Sequence, residues 1–448
     1  MPIGIPYSVQ NLRRPKTPPS IPRTIRVKKI GSEPTNRKLS NHKQLPVLFA
    51  LVVVMIAAIG CVNDLTPEGG WSGPVAEGES LFIGNGDGNL VKFDTESGNL
   101  DQNWRYPSGD GLGAMYSNSV VIGENIYSVG YTCRGDKCDG EIFGLSLVNG
   151  TSIWGQRGLE LKTKLVGEIG VSGDTLYVGT TAIEEEEDGA EGYFYAIDSA
   201  ADATSITKWR IPLDANSFSG VAVEGSTAFI ATMAGTIYAI DISDSDDATS
   251  PSDRIKWTFQ ADGAVAGPIN AVAGNIYFGD LSSNAYKLDS TSRSAASQIS
   301  EVNPGNGEWK YETVAWVWAK PIVEDGTTYI STLDGTIIAV DDANGAEKWS
   351  ASIEGQIVSA PTLFDRKRGE TRERALAVPS GENNVWVISV IDGRELGVFV
   401  TDQPVKSTPL VHNDHLYVHA LNGDLKWFSV DDTTQRGCVD LKGGGRCD

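Results

Sequence analysis

Residues 328–349 read TYISTLDGTIIAVDDANGAEKW, and the spacing of that stretch decides the fold. Two short, mostly apolar runs flank Leu333-Asp334-Gly335. Gly335 supplies the positive φ of a tight hairpin, and Asp341 opens a second turn by bonding the backbone two residues on. A tryptophan, Trp349, follows. Outward in both directions the same order returns: LFIGNGDGNLVKFD at 81–94 and AFIATMAGTIYAID at 228–241. Period-two alternation gives strands with one face buried against a neighbouring layer. Trp104, Trp154, Trp209, Trp257, Trp309 and Trp349 recur 40 to 55 residues apart, the span of one propeller blade.

Hairpin-centred units fall near 81–94, 126–148, 176–198, 228–241, 276–289, 328–341, 375–391 and 416–431. The expected fold is therefore all-β: an eight-bladed β-propeller of four-stranded antiparallel sheets over 73–441, with seven blades as the alternative count and 442–448 as a C-terminal tail. One tryptophan per unit has the bulk to fill the gap between adjacent blades. Gly73-Pro74, Gly267-Pro268, Lys320-Pro321, Ala360-Pro361 and Thr408-Pro409 each lead into an apolar strand, where proline sacrifices no ladder bond. The end units depart from the pattern. Unit seven has no tryptophan after Asp392-Gly393, and unit eight has Cys438 near the tryptophan position.

Charge divides the chain. Residues 1–44 carry ten Lys/Arg against one acid, Glu33, so the net charge of −21 hides a remainder at −30. Such a body repels nucleic acid and anionic lipid, which removes both from the expected partners. Residues 45–60, LPVLFALVVVMIAAIG, are uncharged and shorter than the roughly 20 residues that span a bilayer. With their basic flank they read as a secretory signal. Ala58-Ile59-Gly60-Cys61 resembles a bacterial lipobox, which implies a lipidated Cys61 and a tether at 61–72 holding the protein to the cell membrane on its extracytoplasmic side. An uncleaved signal anchor and ordinary cleavage are the alternatives. Cys133 with Cys138, and Cys438 with Cys447, are close even pairs that suit two small-loop disulfides in an oxidising compartment, against free thiols or half a metal site.

The run from Gly335 to Trp349, a strand, a turn, Ala-Val-Asp, then Gly and Trp, resembles the pyrroloquinoline-quinone repeat, and the resemblance covers most of 73–441. It implies a propeller whose ring is closed by mixing N- and C-terminal strands in one blade, with Cys438 and Cys447 pinning that closure. The family includes quinoprotein dehydrogenases and also a non-catalytic lipoprotein scaffold of the outer-membrane β-barrel assembly machine. A shared fold does not choose between them. The dehydrogenases hold their quinone beneath two adjacent cysteines beside calcium; no cysteines are adjacent here, and no CxxCH, GxSxG or HExxH occurs. The expectation is no enzyme, no quinone or calcium cofactor, and a scaffold for protein or peptide partners in the cell envelope. A quinone- and calcium-dependent oxidoreductase and a carbohydrate-binding surface adhesin are the alternatives.

Candidate binding residues are Trp316, Trp318 and Lys320, just before Pro321, with Lys406 placed similarly before Pro409, where the family's chain enters its innermost strand near the axial channel. Trp316 and Trp318 are expected to point to one side. Arg366, Lys367 and Arg368 open a basic island that suits an acidic partner. His412, His415 and His419 read as a polar sheet face rather than a metal site, and Glu184–Asp188 as a solvated acidic turn.

Overall fold

Alternating runs joined by two-residue turns fold as hairpins, and a computed structural model assembles them into eight sheets. It describes residues 69–447 except 110, 135–136, 156–157, 184–188, 201–205, 244–249 and 292–297. The basic lead, the apolar run 45–60, Cys61 and the acidic turn 184–188 lie outside the described residues. Each sheet consists of four consecutive antiparallel strands in chain order, at 75–106, 120–161, 170–213, 222–260, 270–312, 322–352, 362–400 and 410–440. The eight blades form a ring, which settles the count at eight. Blade 4 also carries a short parallel fifth strand, Gln298–Ile299, on its outer strand Ile255–Gln260. The turn between the first two strands is two residues long and its first residue has positive φ, as at Gly78 (55°) in blade 1; in blade 8 both residues do, Asn413 (48°) and Asp414 (60°), and both geometries match strand twist.

Tryptophans on or just before the outer strands join the blades. Trp104 is 1% exposed, and its Nε1–H donates to the Ser146 and Leu147 carbonyls of the next blade at 3.2 and 3.1 Å. Trp154 reaches Ser199, Trp309 reaches Asp342 and Trp349 reaches Val390, each at 3.1 Å. All these acceptors end the third strand of the following blade or open the turn after it. In two of those turns a glycine with positive φ lies flat on the ring: a Cβ on Gly345 would stand 2.8 Å from Trp309, and one on Gly393 2.5 Å from Trp349. Between blades 5 and 6 the same turn holds a buried ion pair, Lys287 Nζ to Asp342 Oδ2 at 2.7 Å. Burial alone would raise the Asp342 carboxyl, but hydrogen bonds from Lys287, Thr328 and Tyr277 outweigh it and hold the group below its ordinary value.

The atypical end units have physical explanations. In blade 6 a small third-strand residue, Ala339, faces Trp349 of the outer strand, whereas in blade 8 the sizes are exchanged and Trp427 faces Gly437. The Trp427 ring covers Gly437 and reaches Gly98 of blade 1, so the tryptophan is supplied from the neighbouring strand. Blade 7 pairs Val387 with Gly397 and has no ring there. Arg366 lies 3.6 Å from a Cβ built on Gly397 and donates to the Leu396 carbonyl at 3.1 Å. The turn residue of blade 8 is then Thr433, at φ 58°, since no indole demands a glycine.

Ring closure differs from the expectation. Blades 1 and 8 are each contiguous, and no described sheet mixes N- and C-terminal strands. The seam is made by side chains: Leu81, Ile83 and Phe93 pack with Tyr417, Leu425 and Leu441. Asn85 Nδ2 donates to the Leu441 carbonyl at 3.1 Å, and Lys442 pairs with Asp87 at 2.7 Å. The Cys438–Cys447 bond therefore ties the tail to the outer strand of blade 8 rather than fastening an exchanged strand. Both assigned boundaries move. Ser72 N–H donates to Met115 O at 3.1 Å and Ser72 is buried, so the tether stops short of Trp71; Lys442 and Cys447 make the tail part of blade 8.

Buried His419 crosses the seam, its Nδ1–H donating to the Ser72 carbonyl at 2.9 Å. Burial lowers the imidazole below its ordinary value, partly offset by that carbonyl and by Asp424. A base whose folded value is depressed binds its proton more readily when unfolded, so its contribution is intact above about pH 6.5 and declines as pH falls below it. The urea midpoint should drop between pH 7.5 and 5.0, with a smaller drop in His419→Gln. Trp104→Ala should cost roughly 3–5 kcal/mol in the same denaturation measurement.

Candidate functional site at the axial mouth

Between each outer strand and the next blade's first strand runs a four-residue segment: 71–74, 116–119, 166–169, 218–221, 266–269, 318–321, 358–361 and 406–409. Its second residue is often a serine turned into the blade. Ser72 Oγ accepts from Gly84 N–H at 2.9 Å, Ser219 Oγ accepts from Ala231 N–H at 2.9 Å, and Ser407 Oγ donates to the His419 carbonyl at 2.8 Å. Each bond fixes the segment to the end of the second strand. First and third residues are thereby left to face the axis, and all eight segments line one cavity.

Four aromatic residues, Trp71, Tyr116, Phe218 and Trp318, stand at first positions around this mouth, together with Lys406. Trp71 meets Tyr116 edge to face at 4.4 Å, and Lys406 Nζ lies 4.9 Å from the Trp71 ring centre, a cation–π contact. Tyr131 backs Tyr116 at 6.1 Å, and burial lifts its phenol to about 12, so it stays neutral. At third positions, Glu168 of the blade 3 segment and Lys320 of the blade 6 segment meet at 2.7 Å, each side chain 28% exposed. The free volume is about 80 Å³, well short of the roughly 300–1,000 Å³ of small-molecule sites.

Trp318, Lys320 and Lys406 are thus brought together in one cavity. Trp316 is not among its lining residues; it is half-buried, and its carbonyl accepts Leu333 N–H at 2.8 Å. The two do not share a side because 313–321 is irregular rather than a strand, so alternation does not apply. Arg366, Lys367 and Arg368 lie down the long first strand Thr362–Arg368 of blade 7, about 20 Å from the mouth at the usual rise. Acids answer the last two: Lys367 N–H donates to Asp431 at 2.7 Å, and Arg368 lies 3.9 Å from Glu373. Cys133 faces and bonds Cys138 across a hairpin. His412 pairs with His415 in register while His419 turns to Ser72. Trp71, Tyr116, Phe218 and Glu168 escaped the sequence reading. Counting three residues back from Pro74, Pro321 and Pro409 finds Trp71, Trp318 and Lys406. No local signal marks Glu168, whose partner is 152 residues away.

These features define a class: an eight-bladed propeller of pyrroloquinoline-quinone-type repeats with an aromatic, lysine-bearing axial mouth. A family model described as outer membrane protein assembly factor BamB matches residues 138–295 and 290–396, and the chain belongs to that family. It is 23% identical over 221 residues to BamB of Moranella endobia (strain PCIT), covering 45% of this chain and 52% of that protein, so it spans about half the length of that relative. It is 23% identical over 351 residues to BamB of Yersinia pestis, covering 73% of this chain and 78% of the relative. The crystal structure of BamB from Moraxella catarrhalis superposes with a TM-score of 0.51 at 15% identity, over 77% of this chain and 90% of that one. The computationally designed Ika8 protein gives 0.57 at 12%, over 81% and 97%. Both structural likenesses speak for the fold.

The Glu168–Lys320 pair is open enough to water that a double-mutant cycle with Glu168→Gln and Lys320→Met should return a coupling below about 1 kcal/mol in chemical denaturation.

Proposed function

We propose that this chain is a membrane-tethered, extracytoplasmic scaffold that binds protein or peptide partners during the assembly of outer-membrane proteins, without catalysis. The observation that carries this reading is the family match across 138–396, whose description is that of an assembly factor. The axial mouth supports it. A free volume of about 80 Å³ is on the scale of a side chain rather than of a small-molecule site. Among the described residues that line the mouth the one carboxylate, Glu168, is held by Lys320. Cys61 is the proposed lipid anchor, and no cofactor is required.

The test is affinity capture of the full chain from cross-linked membranes, with the captured proteins identified by mass spectrometry. Envelope assembly proteins should co-purify, and Cys61→Ala should shift the chain from the membrane to the soluble fraction. An unchanged fractionation of Cys61→Ala would remove the lipid tether. Oxidoreductase turnover or a new absorbance band on adding quinone and Ca²⁺ would remove the non-catalytic reading.

A further inference from the structure

The altered staple of blade 8 leaves a donor over. Trp104, Trp154, Trp309 and Trp349 each bond an indole N–H to the next blade. Trp427 sits one strand inward, and its Nε1–H has no acceptor among the described residues. This half-buried indole lines a hollow of about 500 Å³ at the seam of blades 8 and 1, within the roughly 300–1,000 Å³ of small-molecule sites. Its walls are the turn 97–99 of blade 1, the outer-strand residues 435–439 of blade 8 and the tail 444–447. The tail is fixed there by the Cys438–Cys447 bond, by Gly444 N–H donating to the Asp440 carbonyl at 2.8 Å, and by Asp440 N–H donating to the Gly445 carbonyl at 2.9 Å.

Charge in this hollow runs against the net −21 of the chain: Arg436 and Arg446 are among its described lining residues and no carboxylate is. Arg436 shares an exposed pair with Asp432 at 3.0 Å, the kind of contact that costs little to open. Arg446 is exposed and has no ion pair or hydrogen bond among the described residues. Asn99 and Gln435 add two amides to the same lining.

We propose that this hollow binds an acidic sugar, a pyranose that carries one carboxylate. Arg446 and Arg436 take the carboxylate, since a guanidinium is a planar fork of donors that matches it bidentately. Trp427 offers an apolar ring surface and, at its edge, an N–H for a hydroxyl. The amides of Asn99 and Gln435 can each donate and accept, as paired sugar hydroxyls require. A neutral sugar leaves the arginines unanswered, and a bare anion makes no use of the indole and amides. The acidic body repels the ligand elsewhere, so the charge pattern also selects where it binds. This site adds a ligand to the ring and does not rest on the scaffold reading.

The experiment uses the full chain in detergent, labelled with 5-fluorotryptophan and observed by ¹⁹F NMR. Among its eleven tryptophans, Trp427 is assigned from Trp427→Phe. The probes are cellobiouronate, its uncharged methyl ester, cellobiose, and acetate. Cellobiouronate should shift the Trp427 signal saturably and bind roughly tenfold more tightly than the ester or cellobiose, in keeping with a charge-assisted contact. Acetate at the same concentration should leave the signal in place. Arg446→Gln should weaken cellobiouronate about tenfold. Arg394→Gln, which removes an exposed arginine of blade 7, should bind as the parent does. Equal melting temperatures for both variants and the parent show that folding is unchanged. The proposal is overturned if the ester or cellobiose binds as tightly as cellobiouronate, if acetate alone reproduces the shift, if the Trp427 signal does not move, or if a folded Arg446→Gln binds normally.

Discussion

The indole N–H of a tryptophan on or just before an outer strand finds its acceptor in the next blade, 3.1 Å away at Leu147, Ser199, Asp342 and Val390, in the junctions between blades 1 and 2, 2 and 3, 5 and 6, and 6 and 7. A buried donor left without a partner costs about 1–3 kcal/mol, and the ring itself needs some 150–250 Å² of apolar cover. The acceptor is not found inside the tryptophan's own blade, and the cover is shared: Phe82, Tyr127 and Tyr329 of the same blades meet Trp104, Trp154 and Trp349 on one side, and the next blade covers the other. A blade is consequently incomplete alone, and the ring is the smallest arrangement in which every blade has a successor. The glycines at 345 and 393 follow from the same contact, because only a residue without Cβ lets the turn lie on the ring.

Where the staple is altered, its surroundings alter with it. Blade 8 moves the tryptophan one strand inward and gives up bulk at Gly437 to make room. Blade 7 dispenses with the ring, places Arg366 near Gly397, and lets Thr433 stand where other turns use glycine. The seam between blades 8 and 1 then depends on its buried cluster, on Asn85 and on His419. These are compensations between neighbours, and they keep the ring closed without a strand being traded.

The period of 328–349 and its repeats made the fold legible, since alternation, turn chemistry and tryptophan spacing are all local. Eight hairpins could be counted before any contact was known. The blade edges were less legible. Trp71 was read as tether and Lys442 as tail because each acts through a partner distant in sequence, Tyr116 and Asp87 respectively. Trp427 was missed as a staple because the pattern followed the outer strand, while in blade 8 the large residue of the cross-strand pair stands on the third strand, opposite Gly437. The mouth was half legible. Proline marked the strand entry and led to Trp318, Lys320 and Lys406, but the irregular backbone before Pro321 broke the alternation that would have paired Trp316 with Trp318. A pairing across the ring, such as Glu168 with Lys320, exists only once the ring has closed.

Because blades 1 and 8 are each a contiguous run of chain, the junction between them, like the others, is made without dividing the four antiparallel strands of any blade. The ring has no privileged starting point. Opening the polypeptide between any two blades and joining the present ends would leave each sheet's hydrogen-bond ladder whole, which is the condition under which circular permutation is tolerated. Folding therefore imposes little on where the ends are placed. Attachment and delivery are then free to decide which blade carries the ends, and the same ring could be hung from a different blade without being rebuilt.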